Sequence, residues 1–156
     1  MDHPAALNDV YRRFGEAAEA AQLLETELGI LLLKFHCEGE GLFESQNPSR
    51  AAEIFACVDR QTLGQILKNL NNRTQSLDAL EALLSKALQA RNRLFHTFYP
   101  KHNFRRNSDE GRTVMMQDLD AIHSALMDAY KAILALRGID LDTLTLTTLP
   151  TRHLPI

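Results

Sequence analysis

Residues 7–35 have the sequence LNDVYRRFGEAAEAAQLLETELGILLLKF, in which apolar side chains recur at helical spacing throughout. One set recurs every seven residues, and a second set lies three positions after its members: Leu7, Phe14, Ala21, Leu28 and Phe35, with Val10, Ala17, Leu24 and Leu31. A narrow apolar seam of this kind is typical of helices that pack in bundles. The pattern predicts one long helix from about Pro4, a residue suited to a first helical turn, to Cys37.

The second and fourth helices are predicted from similar patterns. The segment Glu38–Ser49 is rich in glycine, asparagine and proline and is expected to be a loop. A shorter helix is predicted over Pro48–Asn72, with a break near Asp59. A long helix is predicted from Ser108 or Asp109 to Leu136, and Gly138 ends it.

The third helix is predicted to begin at Leu77, with Ser76 as its N-cap, and to end at Tyr99. The end is expected there because Pro100 disfavours a helical conformation in the residue before it. Residues Lys101 to Asp109 are then expected to form a basic loop.

These elements predict the all-α class, as an up-and-down bundle of three long helices and a shorter one. Residues 1–137 are expected to form the helical domain. The tail 138–156 includes the stretch IDLDTLTLTTLP, in which apolar residues alternate with threonine, so a short extended arm is predicted there.

Composition excludes several classes of protein. The chain has 156 residues, 45% of them hydrophobic, and no apolar run near the roughly 20 residues of a membrane span. The first ten residues lack the features of a secretory signal, so a cytoplasmic location without membrane association is expected. Cys37 and Cys57 have no CxxC partner and are expected to be reduced thiols, not metal ligands.

Positive charge is concentrated between residues 91 and 112, although the formal net charge is −3. This stretch has six lysine and arginine residues and two histidines, against two acidic residues, Asp109 and Glu110. A polyanion such as RNA would be attracted to it. The alternative is a solvated surface loop without a binding role.

Arg91 interrupts the apolar pattern of the third helix. On a helical wheel it falls in the middle of the stripe that includes Leu84 and Phe95, while Asn92 and His96 share one flank and Tyr99 lies beside them. A guanidinium stays charged at any accessible pH, so it needs an anion or several acceptors there. Three solutions are open: an internal salt bridge, a side chain extending to solvent, or a cleft shared between subunits. The carboxylates that could form the internal salt bridge are Glu25, Glu27, Asp118 and Asp120.

The stretch ARNRLFHTFYP, residues 90–100, resembles the signature of the HEPN superfamily near the end of a bundle helix. In that signature an arginine, usually followed by a polar residue, precedes a histidine by four to six positions. Arg91, Asn92 and His96 match it. The resemblance implies a metal-independent endoribonuclease without a cofactor, whose site is assembled from two copies in a homodimer. It also implies a toxin or phage-defence role, with a small cognate antitoxin as a partner.

The catalytic roles implied by the resemblance suit the residue types. His96 would take the proton from a ribose 2′-hydroxyl, and Arg91 would stabilise the negative charge on the phosphorane oxygens. The partner's His96 would protonate the leaving oxygen, and Asn92 would orient the imidazole or hold a phosphate oxygen. The further residues expected to contact RNA are Tyr99, by stacking on a base, and Arg93, Lys101, His102 and Arg105.

The sequence leaves two other functions open besides the ribonuclease. HEPN-like domains also include non-catalytic dimerisation modules that bind nucleotides or proteins, and the acidic net charge is compatible with one. A metal site formed by His96, His102 and His123 is disfavoured, because no cysteine or carboxylate completes a recognisable spacing.

Overall fold

The computed structural model describes residues 6–42, 47–59 and 78–143, and the regular structure within them is helical. The elements are α1 (Leu7–Gly39), α2 (Pro48–Asp59), α3 (Asp78–Asn92), a π-helical segment (Arg93–Thr97), α4 (Phe98–His102), a 3-10 segment (Asn103–Asn107) and α5 (Asp109–Leu136). The predicted all-α class is confirmed, since these residues contain no strand. No helix among them is both long enough and apolar enough to cross a membrane.

The seam predicted for α1 is its buried face. Val10, Ala17, Leu24 and Leu28 are inaccessible to solvent. The helix begins at Leu7, later than the predicted Pro4, because the side chain of Asp9 accepts a 2.9 Å hydrogen bond from the backbone N–H of the residue before the helix. It also continues two residues beyond the predicted end, to Gly39.

α5 is the central element of the packing, since it contacts α1 along much of its length and also contacts α3, while α2 packs on α1. The largest fully buried side chains come from α1, the stretch from α3 to α4, and α5: Leu24, Leu28, Leu32, Leu94, Phe98, His102, Met115, Leu119, Ile122, Leu126 and Ile133. One apolar cluster therefore joins these three parts of the chain.

The predicted end of the third helix at Tyr99 is wrong. Helical structure continues through Pro100 to His102, but the π-helical segment interrupts the α-helical hydrogen bonding first. In a continuous α-helix, Pro100 would clash with the carbonyl of His96, four residues earlier. As the third residue of α4, it instead lies in a first turn, where a missing N–H costs little.

The predicted basic loop from Lys101 to Asp109 is therefore mostly helical as well. Lys101 and His102 end α4, and Asn103–Asn107 form the 3-10 segment. The start of α5 agrees with the prediction, because the Ser108 hydroxyl caps it by accepting a 3.0 Å hydrogen bond from the Gly111 N–H.

The C-terminal end of α5 is also confirmed at Leu136, and Gly138 follows with a φ of 77°. Residues 138–143, the first part of the predicted tail, contain turns. The rest of that tail, the predicted continuation of the second helix to Asn72, and the predicted cap Ser76 lie outside the described residues.

Candidate functional site

Arg91 lies at the edge of the buried face of α3, not in its middle as predicted. Its side chain is 26% exposed, whereas Ala87, Ala90 and Leu94 are almost completely buried. The prediction gave no weight to the two alanines, and their small side chains place the centre of the packed face to one side of Arg91. Phe95, also predicted on the apolar stripe, is 42% exposed.

The guanidinium of Arg91 is bound within its own chain. Its Nε donates to Glu25 Oε1 at 3.0 Å, which joins α3 to α1. The internal salt bridge considered as one alternative for Arg91 is therefore present. The other carboxylates considered there pair elsewhere: Glu27 with Arg137, Asp118 with Arg93, and Asp120 with Arg13.

The opposite side of the same guanidinium faces the other two motif residues. Arg91 Nη1 lies 3.4 Å from Asn92 Oδ1 and 3.5 Å from His96 Nε2. Its Cζ lies 5.2 Å from the centre of the Phe95 ring, a distance typical of a cation–π contact. Nη2 makes no hydrogen bond to any residue that the structure describes. One guanidinium is thus fixed by a carboxylate and still presents N–H groups beside an imidazole.

The π-helical segment explains how His96 reaches Arg91. In an α-helix, residues five positions apart point well away from each other, and the wheel accordingly placed Arg91 in the middle of the apolar stripe and His96 on its flank. A π-helical turn is wider, with hydrogen bonds between residues five apart, so it reduces that angular separation. Such turns are frequent at functional sites.

The contact with Arg91 constrains which nitrogen of the His96 ring accepts a hydrogen bond. A guanidinium has donors and no acceptor, so Nη1 donates and Nε2 accepts. The form of the ring that fits this contact is the neutral tautomer with its hydrogen on Nδ1. A neutral imidazole with a free electron pair on Nε2 is the form that can act as a general base.

An open surface depression lies beside this pair. It is lined by Gln89, Asn92, Arg93, His96 and Thr97, so it has the imidazole and an arginine on its walls. The His96 side chain is exposed to solvent there. An anion entering the depression would meet the imidazole of His96, while the arginine on its walls, Arg93, is paired with Asp118.

The predicted RNA contacts Arg93, Lys101 and His102 converge instead on one carboxylate of α5. Asp118 pairs with Arg93, lies 3.4 Å from Lys101 Nζ, and lies 2.8 Å from His102 Nε2. Part of the positive charge of the basic stretch is therefore neutralised inside the fold. The sequence alone could not identify Asp118 as the shared partner, because the four residues meet only when α4 packs on α5.

His102 is almost completely buried, which does not fit the predicted contact with RNA. Its Nε2 faces Asp118, and its Nδ1 lies 3.1 Å from Arg105 Nη1. Since the arginine must donate, Nδ1 accepts and the ring donates through Nε2 to the carboxylate. Burial lowers the pKa of His102 below its usual value, and neighbouring positive charges, chiefly that of Arg105, lower it further.

Tyr99 packs towards α1. Its ring centre lies 5.4 Å from that of Phe14 and 5.2 Å from that of Phe98. Burial raises the pKa of its phenol. Its aromatic contacts are thus part of the packing between α4 and α1, and the predicted stacking on a base would have to use the exposed remainder of the ring.

Among the described residues, no three His, Cys, Asp or Glu side chains are placed to hold a metal ion together. His102 is bound to Asp118, and His96 faces Arg91. Neither Cys37 nor Cys57 forms a disulfide.

Two features of the site, the π-helical segment and the exposed Phe104, were not predicted from the sequence, although Pro100 was a signal for the first. The π-helical segment was not predicted, although a proline four residues after His96 in a continuing apolar pattern requires some break in α-helical bonding. The pattern of apolar residues gave no signal for the exposed Phe104.

In comparisons with known proteins, no family model, no curated protein and no solved structure matches this chain.

Proposed function

We propose that this protein is a metal-independent endoribonuclease of the HEPN type. The observation that carries the proposal is the 3.5 Å approach of Arg91 Nη1 to His96 Nε2, beside an open depression. The two residues of the motif are five positions apart, and the π-helical segment between them favours their contact. Cleavage of RNA by attack of its own 2′-hydroxyl requires a group that binds the phosphate and a group that accepts the proton, and here these two groups are in contact.

In the proposed reaction, a phosphate of the RNA binds at Nη1 and Nη2 of Arg91, displacing the contact to His96. His96 Nε2 then takes the proton of the ribose 2′-hydroxyl, whose oxygen attacks the adjacent phosphorus. The bond from phosphorus to the 5′-oxygen breaks, and the products are a 2′,3′-cyclic phosphate and a 5′-hydroxyl. Arg91 stabilises the negative charge that develops on the phosphorane oxygens. Asn92 positions the guanidinium through the contact to its Oδ1.

The leaving 5′-oxygen needs a proton from a second group, because one imidazole does not serve as base and acid in the same step. We assign this role to His96 of a second copy of the chain, related by a two-fold axis in a homodimer. The exposed position of His96 is compatible with such an arrangement. A toxin or phage-defence role with a cognate antitoxin is a prediction of the same resemblance.

The alternative function is a non-catalytic HEPN-like dimerisation module that binds a nucleotide or a protein. One observation favours it: Glu25 already supplies Arg91 with an anion inside the fold. In that case the ion pair would mainly join α3 to α1, and His96 would have no proton to transfer.

Cleavage of mixed RNA in the presence of EDTA distinguishes the two functions. Wild type is compared with Arg91→Ala and His96→Ala, and with two controls of the same residue types elsewhere, Arg12→Ala and His123→Gln. Arg12 is an exposed residue paired with Glu16 on the surface of α1. The ribonuclease proposal expects cleavage by wild type and both controls and its loss in both motif variants. Equal cleavage by all five proteins would identify a contaminating nuclease and contradict the proposal, and so would no cleavage by any.

A further inference from the structure

Phe104 is the most exposed of the large apolar side chains in the described residues. It is 76% exposed, on the 3-10 segment between α4 and α5. Single exposed apolar residues are common, but this one is followed directly by Arg105 and Arg106 in the sequence. An exposed aromatic residue next to two arginines is a combination typical of surfaces that bind nucleic acid.

The backbone that carries Phe104 is held firmly from several sides. Gly111 of α5 packs so closely that a Cβ there would lie 2.7 Å from the Cα of Arg105. Arg112 Nη1 donates to the carbonyl of Arg106 at 3.0 Å. Asn103, just before Phe104, has a φ of 44°, in the left-handed region. The exposed ring therefore sits on a fixed turn, which reduces the entropy lost when a ligand stacks on it.

The two arginines are also held in place, and by neutral groups. Arg105 Nη1 donates to His102 Nδ1 at 3.1 Å, and Arg106 Nη2 donates to the hydroxyl of Tyr11 at 2.7 Å. Among the described residues, neither guanidinium pairs with a carboxylate. Their positive charges are thus positioned without being neutralised, unlike those of Arg93 and Lys101, which share Asp118.

We propose that Phe104, Arg105 and Arg106 form a stacking platform for single-stranded RNA, with a base on the ring and backbone phosphates on the two guanidiniums. Single strands are favoured over duplexes because bases in a duplex do not present a free face. A protein partner would bury the ring as well, but the two uncompensated charges on the next two residues favour a polyanion. The inference rests on the proposed function for its ligand, RNA, and names the form of RNA that is bound.

The platform lies within reach of the candidate active site. Phe104 lies eight positions after His96, and a chain of that length spans at most about 29 Å even when fully extended. A short single strand can span that distance while one of its phosphates lies at Arg91. The platform would then hold the substrate, and it would not contact the reacting atoms.

Fluorescence anisotropy with a labelled 2′-O-methyl single-stranded oligonucleotide tests the platform. The methyl groups block attack by the 2′-oxygen, so binding is measured whether or not the protein cleaves RNA. Phe104→Ala is expected to weaken binding about tenfold, and Phe104→Trp to keep it, because both aromatic rings stack. Leu136→Ala is the control, since Leu136 is 51% exposed at the other end of α5. Arg106→Gln is expected to reduce the salt dependence of binding by about 0.7 in the log–log slope.

Thermal unfolding of each variant checks that the exposed substitution leaves the fold intact. Equal affinities of wild type and Phe104→Ala, absence of binding by wild type, or equal binding of a duplex would each overturn the platform. The two proposals can fail separately. RNA binding that is weakened in Phe104→Ala, without any cleavage, supports the platform and rejects the ribonuclease. RNA cleavage that is unchanged in Phe104→Ala supports the ribonuclease and rejects the platform.

Discussion

The ion pair between Glu25 and Arg91 leads to a prediction about RNA affinity. Glu25→Gln keeps an oxygen that can accept from Arg91 Nε but removes the negative charge, which now lies 3.0 Å from that nitrogen. In the proposed complex, a phosphate on the far side of the guanidinium would be repelled by this charge. The substitution is therefore expected to strengthen the binding of RNA, while Glu25→Ala, which also removes the acceptor, loses the positioning of Arg91.

The magnitude follows from the separation and the exposure. A phosphate on Nη1 and Nη2 would lie about 7 Å from the Glu25 carboxylate, where two unit charges interact by ~0.6 kcal/mol in water and ~2.4 kcal/mol at an effective dielectric constant of 20. The two side chains are 26% and 31% exposed, so an intermediate value of about 1 kcal/mol, or about fivefold in affinity, is expected at low salt. Loss of the pair itself should change the free energy of unfolding by less than about 1 kcal/mol.

The assay is the KM for RNA cleavage in EDTA at low ionic strength, with Glu27→Gln as the matched control. Glu27 is on the same helix and pairs with Arg137 at the end of α5, away from the motif. The account expects a lower KM for Glu25→Gln and little change for Glu27→Gln. A higher KM for Glu25→Gln, or a loss of stability above about 3 kcal/mol, would show that the pair serves the fold and not the site.

Three further predictions concern the scaffold and the assembly. Gly111→Ala should lower the free energy of unfolding by about 1–3 kcal/mol, since its Cβ would overlap the backbone of Arg105. Gly15→Ala, with open space around the new Cβ, should raise the free energy of unfolding by about 0.5–1 kcal/mol. Thermal unfolding compares the two variants, and equal shifts would contradict the packing at Gly111. The pKa of His102 is lower in the folded than in the unfolded state, so the unfolded state takes up its proton at a higher pH. The contribution of His102 to the free energy of unfolding should therefore be constant above about pH 7 and fall as the pH drops below about 6.5. Denaturant unfolding at several pH values should show this fall reduced in His102→Gln, and an unchanged slope would place its cause elsewhere, for example at His123, whose pKa burial also lowers. Light scattering should give twice the 17.6 kDa of one chain, and a monomer would remove the second His96 from the mechanism.

The periodic parts of the chain could be predicted well from the sequence. The seam of α1 and the limits of α5 follow from local rules, namely the spacing of apolar residues, the capping Ser108 and the glycine at 138. For α1, only the positions of the two ends were predicted wrongly. Its start depends on a single hydrogen bond from the Ala6 N–H to Asp9.

The candidate site could be predicted only in part. The identity of Arg91, Asn92 and His96 came from a local motif, but the approach of Arg91 to His96 depends on a π-helical segment that a regular helical wheel does not represent. The partner of Arg91 was one of four possible carboxylates, because the sequence does not specify how α1 and α3 are aligned. The burial of His102 beside Asp118 likewise depends on the packing of α4 on α5.

The chemical nature of the RNA ends tests the central claim most directly. RNA is incubated with wild type or His96→Ala in EDTA, and the fragments are analysed by mass spectrometry. The account predicts 2′,3′-cyclic phosphate and 5′-hydroxyl ends from wild type, and none of these ends from His96→Ala. Fragments with 5′-phosphate ends, or cyclic phosphates formed equally fast by His96→Ala, would contradict it.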